Sequence, residues 1–309
     1  MKSIRVGTRK SRLAMVQTDI VAGMIRSRFP EMQVEVVPMN TLGDRLPLEK
    51  RAEVEGKAVF TQDIEIALLG GAIDLAVHSM KDLPNQLDDG LTIGATPARG
   101  DVRDAMVARE DGRTISTLRS GAVIGTSSIR RKAQLRAMRS DISVVDLHGN
   151  VDTRLLRVER EENLDGIVIA AAGLERLGES RRVSQYFSPL EMIPAPCQGA
   201  IAVEIREGDE YAREVLSGID DERVRAETTC ERSFARELGV DCDVPAGATA
   251  TVGGGTVTLH AIILSPDGGR VVRGSAASDL ANAEGLGARL ARQLLRDGGD
   301  ELIRGARGS

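Results

Sequence analysis

The chain has 309 residues, 41% of them apolar and 28% charged, enough for two or three domains with real cores. Its net charge of −5 excludes a global pull toward nucleic acid or anionic membrane, so any anion site must be local. Aromatic residues, at 2% with no Trp, are too few for stacking platforms on single-stranded nucleic acid, and no apolar stretch approaches a membrane span.

Residues 1 to 98 read as alternating strands and helices. Residues 4–7 are a short strand, and Ser11 caps a helix to about residue 28, with Leu13, Val16, Ile20 and Met24 near helical spacing. Pro30 follows its end, and residues 33–39 alternate as a second strand. Residues 40–57 form a connection long enough to be mobile or functional. Residues 60–69 read as a helix and 73–78 as a buried strand. That order predicts a parallel sheet with right-handed crossovers.

Residues 101 to 192 repeat the alternation, with strand 123–125, helix 128–139, strand 142–147, helix 150–160 and strand 166–171. Arg99-Gly100-Asp101 reads as a hinge, and a second crossover falls near Pro194-Ala195-Pro196, returning the chain to the first lobe through residues 200–205. From residue 222 a helix leads to an antiparallel sheet of residues 249–252, 256–264 and 270–275. An amphipathic helix at 281–295 and a frayed tail at 304–309 follow. The organisation is α/β: two doubly wound lobes that resemble periplasmic binding proteins, with a small α+β C-terminal domain. Domain 1 is 1–98 plus 198–216, domain 2 is 101–192 and domain 3 is 220–309. A ligand is expected between the lobes, at the carboxyl ends of strands.

Twice an apolar strand runs into Gly-Thr and then a basic helix start: Gly7-Thr8-Arg9-Lys10-Ser11 and Gly125-Thr126-Ser127-Ser128-Ile129-Arg130-Arg131. Glycine admits close backbone approach, hydroxyls and helix N–H groups donate, and arginine pairs bidentately with carboxylate. A solvated helix face is the competing reading for each cation; the repeated Gly-Thr favours Arg9, Arg130 and Arg131, while Lys10, Arg12 and Lys132 are left as surface. Asp82, in His78-Ser79-Met80-Lys81-Asp82-Leu83-Pro84, sits on a turn after a buried strand. There it either stabilises a developing cation and moves protons, or simply holds the turn with Lys81.

The three cysteines, Cys197, Cys230 and Cys242, are odd in number and in no metal spacing, which argues for a reducing cytoplasm and against a disulfide framework. Cys230 reads as helix packing, and Cys197 as a thiol near the cleft, open to oxidation or alkylation. Cys242 lies between Asp241 and Asp243, which raise a thiol pKa and suit a stable attachment point better than a thiolate nucleophile.

Taken together, these segments resemble the porphobilinogen deaminase family. To those above are added Gly56-Lys57 to Phe60, Gly149-Asn150-Val151-Asp152-Thr153-Arg154, Gln198-Gly199-Ala200 and Cys242-Asp243-Val244-Pro245, in family order from residue 4 to about 250. The resemblance implies a monomeric, cytoplasmic transferase of tetrapyrrole biosynthesis. It would deaminate and join four porphobilinogen units, then release hydroxymethylbilane by hydrolysis. It implies a dipyrromethane cofactor bonded through a thioether to Cys242, with Asp82 as the catalytic aspartate. Arg9, Ser11, Lys57, Phe60, Lys81, Thr126, Ser128, Arg130, Arg131, His148, Asn150, Arg154, Gln198 and Gly199 would bind cofactor or growing chain. His148 stands where the family usually has arginine, Cys197 where Gly or Ala is usual, and Asp flanks Cys242 where Gly and Gln are common. An anion-binding protein or regulator of the same fold is the competing class, and fold alone does not separate the two.

Overall fold

The computed structural model describes residues 3–45, 60–239 and 244–307. The chain groups into two compact units, residues 1–100 with 199–225 and residues 101–198 with 226–309. In chain order the elements are β1 (Ser3–Arg9), α1 (Arg12–Arg28), β2 (Gln33–Met39), the short α2 (Leu42–Arg45), α3 (Gln62–Leu69), β3 (Leu75–Ser79) and β4 (Leu91–Ala95). Next come β5 (Asp104–Ala108), β6 (Val123–Gly125), α4 (Ile129–Met138), β7 (Ser143–Val145), α5 (Val151–Arg160), β8 (Gly166–Ala170), α6 (Ala171–Arg176) and β9 (Gln185–Tyr186). The chain continues with β10 (Ile201–Arg206), α7 (Glu210–Leu216), α8 (Glu222–Leu238), β11 (Ala246–Gly253), β12 (Thr256–Leu264), β13 (Val271–Asp279), α9 (Ala283–Leu294) and α10 (Asp300–Arg307).

Two five-stranded sheets share one pattern. The first has the order β2-β1-β3-β10-β4 and the second β7-β6-β8-β5-β9. In each, four strands share one direction and one, β10 or β5, runs antiparallel to both its neighbours. The expected all-parallel sheets are therefore mixed. The physical reason is connectivity: β10 arrives only after the whole 101–198 segment, and β5 precedes every other strand of its sheet. Neither is joined to its parallel neighbours by the short crossover that enforces parallel pairing. Helices cover both faces. Ile4, Val6, Leu75, Val77, Ile201 and Val203 pack with Val21, Ile25 and Val215 on one face, and Ile64 and Leu68 pack on Ile73 and Ala76 on the other. The architecture is α/β, with two doubly wound five-stranded lobes and a small C-terminal three-stranded sheet with helices.

Local sequence rules explain the helix starts. Ser11 Oγ accepts the Ala14 N–H at 3.3 Å and Ser128 Oγ the Arg131 N–H at 3.4 Å, so both socket serines are N-caps. Asn150 occupies an N-cap position but makes no side-chain cap bond. The helix read at 60–69 begins at Gln62, with Phe60 in a tight turn ahead of it, and the strand read at 73–78 is Leu75–Ser79. Residues 42–45 of the long connection form a helical turn, and 46–59 lie outside the described residues.

The C-terminal sheet is the antiparallel meander β11-β12-β13, and one face of it packs on α8 and α9. The tail read as frayed is helical: Asp300–Arg307 forms α10 because Leu302 and Ile303 are buried in that same core. Cys230 is buried packing, its thiol pushed up to about 12 by burial and by the charge of Glu231. Cys197 is also buried, its Sγ 3.7 Å from the Thr228 carbonyl, so the reading of a reactive thiol is corrected. Its φ of +63° explains why Gly suits the position: a Cβ there is strained.

Glu231 holds this region together. Its carboxylate accepts the Cys197 N–H at 2.5 Å and the Ala250 N–H at 2.6 Å, both buried. Glu231→Ala strands two buried donors and should cost about 3 kcal/mol in urea unfolding, while Glu231→Gln, which keeps an acceptor, should cost clearly less.

Candidate active site

In unit 1, β3 ends in a single 3-10 turn, Met80–Asp82, and the chain then leaves as Leu83-Pro84. Proline forces Leu83 out of the helical region, and its ψ of 146° ends the turn. The Met80 N–H donates to the Ala200 carbonyl at 3.0 Å and the Leu83 N–H to the Met80 carbonyl at 3.1 Å, which ties the turn to β10 and closes it. Ser79, just ahead, exchanges hydrogen bonds with the buried Gln17 side chain at 2.9 and 3.1 Å. Asp82 and Lys81 are therefore half-buried groups on a fixed backbone at the carboxyl end of a sheet strand. Arg9 leaves the end of β1, and its guanidinium lies 4.5 Å from the Phe60 ring centroid while donating to both oxygens of Asp44. Burial raises the Asp44 carboxyl, but the Arg9 hydrogen bond and charge, with Thr41, hold it below its ordinary value.

In unit 2, the pair Arg130–Arg131 at the start of α4 is buried, and both guanidinium groups engage one residue that sequence reading missed, Asp104. Arg130 Nη1 donates to Asp104 Oδ2 at 2.7 Å and to the Ile193 carbonyl at 2.8 Å. Arg131 Nε donates to Asp104 Oδ1 at 2.8 Å, and its Nη2 reaches Gln198 Oε1 at 3.2 Å. Gln198 Nε2 closes the ring on Asp104 Oδ1 at 3.0 Å and on the Val102 carbonyl at 2.8 Å. Full burial alone would raise the Asp104 carboxyl; the two arginine charges and the bonds from Arg130 and Gln198 reverse this and push it far below the carboxylate range. The Arg131 guanidinium is shifted down, by burial and the neighbouring Arg130, against the opposing pull of Asp104. Among the described residues two cations share one anion here, and Arg130 Nε is a buried donor without a hydrogen-bond partner.

Other predicted residues of unit 2 lie near its strand ends and helix starts. Thr126 is buried and its Oγ1 accepts the Ser128 N–H at 3.3 Å. Arg154 Nη2 donates to Ser127 Oγ at 3.0 Å. Asp146 takes Lys132 Nζ at 2.7 Å and lies 3.8 Å from His148 Nε2. Gly199 adopts a φ of +85° just after Gln198. Gly125 serves packing: a Cβ would come to 3.0 Å from Leu147 Cδ2. Gly7 likewise abuts Ile73. The socket glycines admit core side chains where ligand approach was expected. Lys57 and Cys242 lie outside the described residues; downstream of Cys242, Gly247 abuts the Ile193 and Pro194 carbonyls and Arg130 Cδ. Asp104 carried one signal, a lone acidic residue opening an otherwise apolar strand.

Caps, buried guanidinium groups and strand-end hydroxyls of this kind are the groups with which an α/β protein can hold an anion. Residues 4–214 match the family model for the porphobilinogen deaminase dipyrromethane cofactor binding domain, and residues 226–296 the model for the porphobilinogen deaminase C-terminal domain. A porphobilinogen deaminase of Syntrophotalea carbinolica is 43% identical over 301 residues, 97% of this chain and 95% of that one. Those of Roseiflexus sp. and Thermus thermophilus are 44% and 42% identical, each over 98% of this chain and 99% of theirs. Solved structures include a YaeC-family lipoprotein of Enterococcus faecalis at 14% identity and TM-score 0.44, covering 72% of this chain and 93% of that one. The chain belongs to the porphobilinogen deaminase family, the hydroxymethylbilane synthases, which are transferases of tetrapyrrole biosynthesis.

Asp104→Asn leaves two buried guanidinium groups without their counter-charge and should lose about 3–5 kcal/mol at pH 7 by urea unfolding. A carboxyl lowered in the folded state stabilises fully above its ordinary value of 3.8 and loses that contribution as pH falls through the folded value. The gap between parent and variant should therefore narrow as pH drops below about 4.

Proposed function

We propose that Asp82 is the catalytic carboxylate of a reaction that joins four porphobilinogen units head to tail and ends in hydrolytic release of hydroxymethylbilane. In the same reading, Cys242 carries the dipyrromethane through a thioether. Dipyrromethane, when bound, supplies the free pyrrole carbon to which the first unit is added. The two buried guanidinium groups of Arg130 and Arg131, which share only Asp104 among the described residues, with the orphan Arg130 Nε, support a carboxylate-rich ligand, and this is the observation that carries the reading.

Breaking the aminomethyl C–N bond of porphobilinogen releases ammonia and leaves a cationic methylene-pyrrolenine. An ionised Asp82 on a fixed turn stabilises that cation by accepting from pyrrole N–H. Attack by a free pyrrole carbon forms the new C–C bond, and the proton lost from that carbon can pass to the same carboxylate. Each unit adds an acetate and a propionate, so self-repulsion rises with length unless fixed cations offset it. Arg9, Lys57, Lys81, Arg130, Arg131 and Arg154 are assigned that role. Ser11 and Ser128 accept a backbone N–H through Oγ, which leaves each hydroxyl proton to donate to a carboxylate. Thr126, His148, Asn150, Gln198 and Gly199 are assigned to the same ligand, and Phe60 to the edge of a pyrrole ring.

The setting proposed is a cytoplasmic monomer. Among the described residues no helix is long and apolar enough to cross a membrane, and the buried Cys230 is a thiol, which suits a reducing compartment. Asp82→Asn should still bind porphobilinogen but release ammonia at least about 100-fold more slowly in rapid-quench assays. Turnover within a few-fold of the parent would remove Asp82 from the chemistry.

A further inference from the structure

The face of the first sheet covered by α3 buries three titratable groups that the mechanism above does not use. Glu65 on α3, His78 on β3 and Glu204 on β10 are 3%, 5% and 0% exposed. Register puts Ala202 opposite His78 and Glu204 opposite Ala76, so His78 and Glu204 leave the sheet on one face. Helix α3 packs on that face through Ile64 and Leu68 against Ile73, Ala76 and Leu91. His78 Nε2 lies 3.4 Å from Glu204 Oε2, an ion-pair distance without hydrogen-bond alignment. Among the described residues neither atom has a hydrogen-bond partner, and neither do Glu204 Oε1 and Glu65 Oε1.

Orphaned polar atoms at this depth need an explanation. Among the described residues the nearby arginines are committed elsewhere. Arg206 donates to the Leu68 and Ile73 carbonyls and to Asp209, Arg9 to Asp44, and Arg5 to Asp74. Asp88 adds further negative charge toward Glu65. Two carboxylates beside a neutral imidazole, which keeps its own N–H, would carry two buried negative charges unless they took up protons. They are neutral overall when they hold two such protons among them, which removes the cost of unpaired buried charge.

We propose that Glu65, His78 and Glu204 form a buried two-proton cluster that positions the Asp82 turn. The proposal rests on the reading of Asp82 as the catalytic carboxylate. His78 is four residues ahead of Asp82, and Glu204 is on the strand whose neighbour Ala200 anchors Met80. A neutral cluster ties β3 to β10 at the end from which the turn springs. Loss of the Glu65 proton sets two carboxylates against each other at that point and loosens it. Burial and then the charge of Glu204 raise the Glu65 carboxyl above its ordinary range. A group raised in the folded state stabilises fully below its unfolded pKa, and that contribution is lost as pH rises through the folded value. Turnover and stability should therefore both fall on the alkaline side.

The test measures kcat, KM for porphobilinogen and Tm against pH for the cofactor-loaded parent, Glu65→Gln, Glu204→Gln and Asp82→Asn. Glu65→Gln cannot ionise, so its kcat should fall at higher pH than the parent's, and its Tm should gain on the parent's as pH rises. Glu204→Gln should lower kcat about tenfold with KM within about twofold, with Tm unchanged or higher. An alkaline limb unmoved in Glu65→Gln, or a folded Glu204→Gln with kcat within about twofold of the parent, overturns the proposal. If Glu204→Gln does not fold, the Glu65→Gln profile decides alone. An active Asp82→Asn overturns the reading of Asp82; an inactive one beside two Gln variants of parental profile overturns only the cluster.

Discussion

Two guanidinium groups on one buried carboxylate govern unit 2. Asp104 opens β5, Arg130 and Arg131 open α4, and Gln198 closes the ring just before the chain leaves the unit. The arrangement fixes where the second socket lies and, among the described residues, sets two guanidinium groups against one carboxylate. A buried ion triad of this kind is costly to build, and removing its anion is costlier. A chain with net charge −5 can therefore gather a polycarboxylate, because the deciding charge is local and shielded from solvent.

The opposite imbalance sits in unit 1, where Glu65 and Glu204 face a single imidazole under the turn that carries Asp82. Among the described residues, one unit buries two guanidinium groups on one carboxylate, the other two carboxyl groups beside one imidazole. The first suits holding carboxylates; the second suits fixing a group that meets a developing cation. Growth of an acidic chain asks for both, since each added unit brings two carboxylates and passes through a positively charged intermediate.

Much of this was legible in local sequence. Ser11 and Ser128 read as caps from their place before basic, apolar-periodic helices, and both cap. The C-terminal meander was legible from alternation alone. What stayed hidden depends on distant pairing. Asp104 meets arginines 26 and 27 residues away, and nothing adjacent to it announces them. The antiparallel course of β5 and β10 follows from long connections that strand–helix alternation does not encode. The tail helix depends on Leu302 and Ile303 finding a core built from residues far upstream. Cys197 read as a reactive thiol because a backbone φ of +63° has no signature in composition. Cys242 rests on family resemblance, supported by the flanking aspartates.

Intact-protein mass spectrometry with peptide mapping tests covalent polycarboxylate assembly on this chain most directly. The purified protein should carry a dipyrromethane adduct on the Cys242 peptide, absent in Cys242→Ala, and brief exposure to porphobilinogen should add a ladder of further pyrrole units. A folded, unmodified chain that gains no mass and consumes no porphobilinogen would contradict it.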